Sequence, residues 1–380
     1  MQYELSYWER ETFLKDIDVA VIGSGLVGLN AAIRLKERQP ALKVVVLERG
    51  GLPIGASTRN AGFACFGSMT ELLDDMQNMP PDAVWGIVER RWKGLERLRN
   101  LLGDAALDYQ EYGGYEMFTE ADRADFEVCT QHLADFNYMA HAITGRKTVY
   151  SVADAHLSST GFKGVQHLIL NQAEGQIHTG KMMVALLALA RARGVEILNG
   201  ITVQKINDTG TGVQLDTASG WPLMARQVLV CSNGFARQLL PQLEVQPARN
   251  QVLITQPVPN LPFEGCFHYD RGYFYFRNID GRILLGGGRN LDREVENTDQ
   301  FGSNEMIRTA LLQLLHQVIC PNKVVEIDMW WTGILGLGPV KKPIIERVSP
   351  HVNVAVRLSG MGVAIGSLVG MEGADLVLDL

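Results

Sequence analysis

The segment IDVAVIGSGLVGLNAAIRLKERQPALKVVVLERG, residues 17–50, limits what this chain can fold into more than any other. Its opening run of β-branched apolar residues suits a strand covered on both faces, and the run breaks at GSGLVG. Leu26, Leu29 and Ile33 then fall on one helical face until Pro40 stops the helix, and KVVVLE follows as a second buried strand. Gly23, Gly25 and Gly28 stand in GxGxxG spacing across that strand–helix turn. The first glycine permits the tight turn, the second lets backbone N–H groups approach a pyrophosphate, and the third lets the helix pack on the sheet. The helix start at Leu26 and Val27 directs partial positive charge at the phosphates. Glu48 ends the second strand twenty residues after Gly28 (48 minus 28), where a carboxylate can accept both ribose hydroxyl protons and disfavours a phosphorylated ribose. The unit predicts a dinucleotide site and leaves NAD and FAD both open.

A chain of 380 residues is too long for one ordinary core and suggests two domains. From Met76 to about Leu102 the sequence is helical and charged, with Trp85 and Trp92 read as core residues of the helix rather than a ligand box. Strand patterns occupy Asp108–Phe118 and Val252–Leu285, the latter through QVLITQPV, GCFHYD, GYFYFRN and GRILLGGG. Between them, HTGKMMVALLALARARGVEIL leads from a helix into a strand, and GVQLDTASGWPLMARQVLVCSNG reads as a hairpin-like pair. The order alternates nucleotide-type and antiparallel-type blocks, so two domains are interwoven.

Composition excludes some partners. A formal net charge of −7 argues against nucleic acid, which draws on clustered Lys and Arg. The stretch MQYELSYWERETF lacks the apolar core of a signal peptide, and the longest apolar run, MMVALLALA, falls short of the roughly 18 residues a membrane span needs. Five scattered cysteines without CxxC spacing suggest a reducing cytoplasm, no metal site and no disulfide framework.

Three later stretches separate FAD from NAD. RQVLVCSNGFA is a buried strand ending in the small-residue turn Ser232, Asn233, Gly234. GRILLGGGR places Gly286, Gly287 and Gly288 where they leave room for something bulky. LSGMGVAIG starts a helix at Gly360–Gly362 whose free N–H groups, aimed at the flavin N1 and C2 carbonyl, would stabilise negative charge formed on reduction. Each taken singly reads better as a tight turn or a packing glycine; together they point to FAD.

Taken in order with GASTRNAG, GQIHTGKMMVALLALARARGVEI and WWTGILGLGPVKKPII, the set resembles the glycine oxidase, sarcosine oxidase and D-amino acid oxidase (DAO) family of FAD enzymes over nearly the whole chain. The GAS-x-RN-x-G form looks most like the γ-glutamylputrescine oxidase branch. The resemblance implies an α/β fold in which an FAD-binding Rossmann-type domain (1–85, 150–242 and 322–380) is interleaved with an α+β substrate domain on an antiparallel sheet (86–149 and 243–321). It implies cofactor contacts from Arg49, from Ser57, Thr58, Arg59, Asn60, Ala61 and Gly62, from Val203 and Gly333, and from Gly360, Met361, Gly362, Val363 and Ala364. In such enzymes the loop at residues 55–68 passes beside the flavin ring, so Arg59 is the first choice to favour anionic reduced flavin or fix a substrate carboxylate, with a structural salt bridge as its competitor. Asn60 braces the loop.

Departures from the family pattern set further expectations. The arginine that often follows W-x-G to bind a carboxylate is absent, since Ile334 and Leu335 follow Gly333. Sarcosine oxidase carries a lysine in its last glycine motif, where this chain has Val363 and Ala364, and it anchors flavin through a cysteine that this chain lacks, so FAD is expected without a covalent bond. Substrate contacts are expected from FHYDRGYFYFRN: Tyr273 and Tyr275 share one strand face, Phe274 and Phe276 the other, and His268 reads as a satisfied structural histidine. The implied activity is oxidation of a C–N bond in a small amine or amino acid by hydride transfer to flavin N5, with hydrolysis of the imine and passage of electrons to dioxygen or a quinone or protein acceptor. Two alternatives stay open. One is an FAD dehydrogenase of 2-hydroxy acids or glycerol phosphate, in which His268 would serve as base, and the other is a non-catalytic FAD-binding subunit. An oligomer is compatible with all three.

Overall fold

The structure, a computed structural model, describes residues 4–379; Met1–Tyr3, at the head of the stretch read for a leader, and Leu380 lie outside the described residues. Strand Ile17–Ile22 sits inside a sheet between Val44–Glu48 and Pro222–Val230, parallel to both, with Val19 opposite Val44 and Ile22 opposite Leu47. Glu196–Asn199 and Val352–Val356 extend it in parallel on either side, and Ile344–Ser349 closes one edge antiparallel. Alternation decides which core each side chain joins. Val19, Val21, Val44 and Val46 face the helices Leu26–Arg38, Thr179–Ala192 and Gly362–Leu378, while Ala20, Ile22, Val45 and Leu47 face the layer under the Val213–Thr217 hairpin. Both faces are buried, which is why these strands read as unbroken apolar runs.

The second sheet runs in the order Ile327–Leu337, Gln246–Thr255, Arg282–Gly287, Phe274–Ile279, Cys266–Tyr269, Gly114–Thr119, Val165–Asn171, Tyr150–Val152. Neighbours are antiparallel except Cys266–Tyr269 with Gly114–Thr119. Phe274 and Phe276 join Ile283, Leu285, Ile307 and Leu311 in the core behind this sheet, which leaves Tyr275 on the opposite face.

Sheet membership departs from the expected spans. Tyr150–Val152, Val165–Asn171 and Ile327–Leu337, assigned from sequence to the nucleotide blocks, belong to the second sheet. Helix Pro81–Leu102, assigned to the substrate block from residue 86, buries Leu95 and Leu98 in the nucleotide-side core and sets Gly94 against Ala364. Local pattern identifies a strand or a helix face, but its partner is chosen by contacts far away in sequence. The helical stretch from Met76 is also interrupted. Met69–Asn78 ends before Pro80, and Pro81 starts the next helix at a position where a missing N–H costs nothing. Trp85 and Trp92 are buried beside Phe66 and Phe136. A two-stranded link, Phe63–Ala64 with Gly175–Gln176, lies between the sheets.

Candidate active site

Two adjoining cavities share Ala56, Asn60, Leu335, Gly360 and Val363 in their walls. The narrower, of about 180 Å³, opens along the end of the Ile17–Ile22 strand. Gly23, Gly25, Leu26 and Val27 line it where the chain turns from strand to helix. Gly23 holds φ +107°, a conformation L side chains rarely adopt. Gly28 lies outside this cavity, and a Cβ there would run into the Gly23 carbonyl oxygen, so its absence lets the helix close on the turn. Glu48 is buried: Oε2 accepts from Ser24 Oγ at 2.7 Å and Ser24 N at 3.2 Å, and Oε1 accepts from Gly50 N at 2.9 Å. Leu26 N donates to Ser57 Oγ at 2.8 Å, tying the loop to the helix start. Arg49 lines the cavity with its guanidinium 3.8 Å from the Phe235 ring centroid.

Val203, Ser232, Asn233 and Gly362 complete the sequence-predicted residues found in this wall. Asn233 Oδ1 accepts from Arg357 N and Leu358 N, binding the SNG turn to the segment before the last helix. Thr58, Gly62, Gly234 and Ala364, expected at the cofactor, instead support the walls from behind. Thr58 Oγ1 donates to Pro53 O, a Cβ on Gly62 would meet Ile177 O, one on Gly234 would meet Leu335 O, and Ala364 O faces Gly94. Asn60 donates to Ala56 O and Ser57 O and accepts from Gly62 N and Thr179 Oγ1.

The wider cavity, of about 390 Å³, continues between the sheets. Arg59, Ala61, Gly333 and Met361 line one part of it, and Tyr273, Tyr275 and His268 another. Arg59 is turned to the main chain: Nε donates to Ile54 O at 3.0 Å, Nη1 to Thr332 O at 2.9 Å, and the guanidinium lies 4.5 Å from the Phe301 ring centroid. Carbonyls and a ring, with no acid among the described residues, stand where the competing reading put a structural salt bridge. Tyr275 accepts from Asn250 Nδ2 at 3.4 Å, and desolvation pushes its hydroxyl up to about 12. Asn250 Oδ1 is buried and has no hydrogen-bond partner among the described residues. Tyr273 accepts from Arg293 Nη2 at 2.6 Å.

His268 departs from its reading as a satisfied histidine. Its Nε2 is buried without a hydrogen bond and lies 4.0 Å from Glu174 Oε2, and burial lowers its pKa so that the neutral ring is favoured. Cys65, Glu174 and His268 bring one ligand-type atom each within 4.8 Å of one another, which sequence spacing did not anticipate. Glu174 Oε1 is already held by Phe66 N and Gly67 N, the Arg91 guanidinium donates to Cys65 O, and burial raises the Cys65 thiol. A cation beside a protonated thiol disfavours a metal there. All five cysteines are buried and unpaired. The glycines of GRILLGGG serve the protein rather than a ligand: a Cβ at Gly286 would stand 2.8 Å from Tyr275 Cε2, and one at Gly287 would strike Tyr273 O.

Sequence reading missed the ionic wall of this cavity. Glu71 Oε1 meets Arg91 Nη1 at 3.1 Å and Lys341 Nζ at 3.0 Å, and Lys341 also meets Asp75 at 2.9 Å. Although burial opposes it, the two cations hold the Glu71 carboxyl well below the usual range. Lys341 also lines the cavity.

The fit to an extended nucleotide cofactor rests on this geometry: a glycine turn opening a helix, a buried carboxylate at a strand end, and two orphaned buried hydroxyls, Ser232 Oγ in one cavity and Ser359 Oγ in the other. Among known proteins, the chain is 27% identical over 402 residues to a probable oxidoreductase OrdL of Rhizobium meliloti, covering 99% of this chain and 87% of that one. It is 24% identical over 376 residues to the γ-glutamylputrescine oxidoreductase of Escherichia coli, covering 95% and 83%. The crystal structure of glycine oxidase from Geobacillus kaustophilus superposes with a TM-score of 0.74 at 20% identity, over 95% of this chain and 94% of that one. Among the described residues no helix is long and apolar enough to cross a membrane. The family described as DAO, FAD dependent oxidoreductase, matches residues 18–376, and the chain belongs to it.

Proposed function

We propose that this FAD-dependent oxidoreductase oxidises the C–N bond of a small amine or amino acid, with the narrow cavity taking the nucleotide end of FAD and the wide one taking the ring and the substrate. The observation that carries the reading is Asn250, whose buried Oδ1 has no donor and which lies beside Tyr275 in the wide cavity, where an amine N–H can satisfy it. Phe63, Val252, Tyr273 and Tyr275 supply apolar wall, and an amine desolvated against them loses its extra proton more readily. A neutral amine can release a hydride without a dedicated base. Bound FAD supplies the two-electron acceptor, and the imine product is hydrolysed in water. The γ-glutamylputrescine oxidoreductase and the glycine oxidase among the similar proteins support a nitrogen-bearing substrate. Reoxidation falls to dioxygen or to a quinone or protein carrier.

His268 favours a second reading. A buried neutral imidazole on the cavity wall, 4.0 Å from a carboxylate, is competent to take a hydroxyl proton from a 2-hydroxy acid or glycerol phosphate. Anaerobic mixing of the FAD-loaded protein with amines, amino acids, 2-hydroxy acids and glycerol 3-phosphate separates the two. Bleaching of the flavin absorbance by a nitrogen-bearing compound is the expected result. Bleaching by hydroxy compounds alone would transfer the assignment to the second reading, and bleaching by none would remove both.

A further inference from the structure

The charges on the wide cavity nearly all have partners. Glu71 is matched by Arg91 and Lys341, and Arg271 by Asp74 on the wall and by Asp125 outside it. Arg59 is committed to two carbonyls and a ring. Arg289 is the exception: it lines the cavity, is half-buried, and among the described residues has neither an ion pair nor a side-chain hydrogen bond. The nearby acids are taken, since Glu296 grips Arg249 through two bonds of 2.8 and 3.0 Å and Asp292 accepts from Asn304. Arg293, the neighbouring cation, is spent on Tyr273.

The backbone fixes where Arg289 stands. Gly288 takes φ +75° and its N–H donates to Tyr273 O at 2.8 Å, so Arg289 leaves the strand end beside Tyr273. Tyr275, on strand Phe274–Ile279, follows Tyr273 by two residues, roughly 7 Å at the usual rise per residue, and Asn250 lies beside it. A desolvated guanidinium without a counter-charge is costly, and a planar carboxylate matches its fork of donors.

We propose that Arg289 is the specificity-determining residue of this cavity, binding a carboxylate on the substrate while the amine lies toward Asn250. The proposal rests on the assignment of the wide cavity as the substrate site, and it makes the preferred substrate an amine that also carries an anion.

The test uses the FAD-loaded protein with benzoate and its neutral isostere benzamide, read by flavin difference spectra, so that no turnover is needed. Benzoate is expected to bind more tightly than benzamide. Arg289→Gln should weaken benzoate roughly tenfold to a hundredfold and leave benzamide unchanged. With an amine that bleaches the flavin, the same variant should raise KM for a carboxylate-bearing substrate, keep kcat, and spare a neutral amine. Benzoate binding unaltered by Arg289→Gln, or abolished only by Arg59→Gln, overturns the proposal. Should Arg289→Gln not hold FAD, a crystal structure of the wild-type protein with benzoate decides: a carboxylate on the Arg289 guanidinium supports it, and a carboxylate anywhere else ends it. Failure of every amine to bleach the flavin would end the functional assignment without altering the benzoate result.

Discussion

Arg59 and Trp331 hold each other's segments by reciprocal bonds: the Trp331 indole N–H donates to the Arg59 carbonyl at 3.0 Å, and Arg59 Nη1 donates to the neighbouring Thr332 carbonyl at 2.9 Å. The small-residue loop is thereby fixed to the second sheet, although Leu26 N also ties it to the nucleotide helix through Ser57. Trp331→Phe removes one donor and should cost about 1 kcal/mol, whereas Arg59→Gln gives up two carbonyl bonds and a ring contact and should cost about 2 kcal/mol or more. Urea unfolding of the FAD-loaded variants measures both, and flavin fluorescence should show weaker FAD retention for Arg59→Gln. Wild-type retention in that variant would mean the loop is held by other contacts.

Gly28 tests the nucleotide turn without touching a ligand-facing atom. A Cβ there runs into the Gly23 carbonyl, so Gly28→Ala must lift the helix from the turn, an overpacking that typically costs 1–3 kcal/mol, and should leave the protein with little bound flavin. Gly86 gives the contrast. It lies inside helix Pro81–Leu102, where a methyl group would meet none of the described residues within 4 Å, so Gly86→Ala should raise stability by up to about 1 kcal/mol and keep the flavin. The ratio of flavin to protein absorbance after purification, with thermal midpoints, distinguishes the two outcomes.

The contrast between these glycines shows what the sequence could convey. Gly23, Gly25, Gly28 and Glu48 are close in the chain and each obeys a local rule, so spacing alone placed them. Tyr275 was legible for a similar reason, because strand alternation puts it opposite Phe274 and Phe276. Arg91, Glu71 and Lys341 were not. They come from two helices and a loop, and each is unremarkable among its chain neighbours. Arg59 was legible only in part: residue type suggested an anion site, and the carbonyls that hold its guanidinium are partners sequence cannot rank.

Arg91 depends on Glu71 for its only carboxylate among the described residues, its other donors being spent on Cys65 O. Glu71→Gln leaves a buried guanidinium without counter-charge and should destabilise by about 3–5 kcal/mol, part of which Glu71→Gln/Arg91→Met recovers by removing the stranded charge. Because the Glu71 carboxyl is held below its ordinary 4.5, its contribution is present above that pH and disappears only as acid titrates the folded state. Urea unfolding at pH 7 and at pH 4 should therefore show nearly the same penalty for Glu71→Gln. A penalty that vanishes by pH 4 would contradict the pairing.

Glu116 has the opposite sign. It is buried on strand Gly114–Thr119 beside His268, accepts from Thr70 N at 3.3 Å and from Thr70 Oγ1, and among the described residues has no ion pair. Desolvation outweighs those hydrogen bonds, and with Glu71 nearby it pushes the carboxyl from 4.5 up to about 7. The folded state therefore holds this proton more tightly than the unfolded chain does, so the stabilisation is complete below about pH 4.5 and is lost as pH rises through 7. Glu116→Gln imitates the protonated form at every pH. It should match the wild type below about pH 4.5 and exceed it increasingly as pH rises through 7, by an amount on the order of 3 kcal/mol at pH 9. Denaturation midpoints of both proteins across pH 5 to 9 check this, and a difference that stays constant over that range would show that Glu116 does not titrate there.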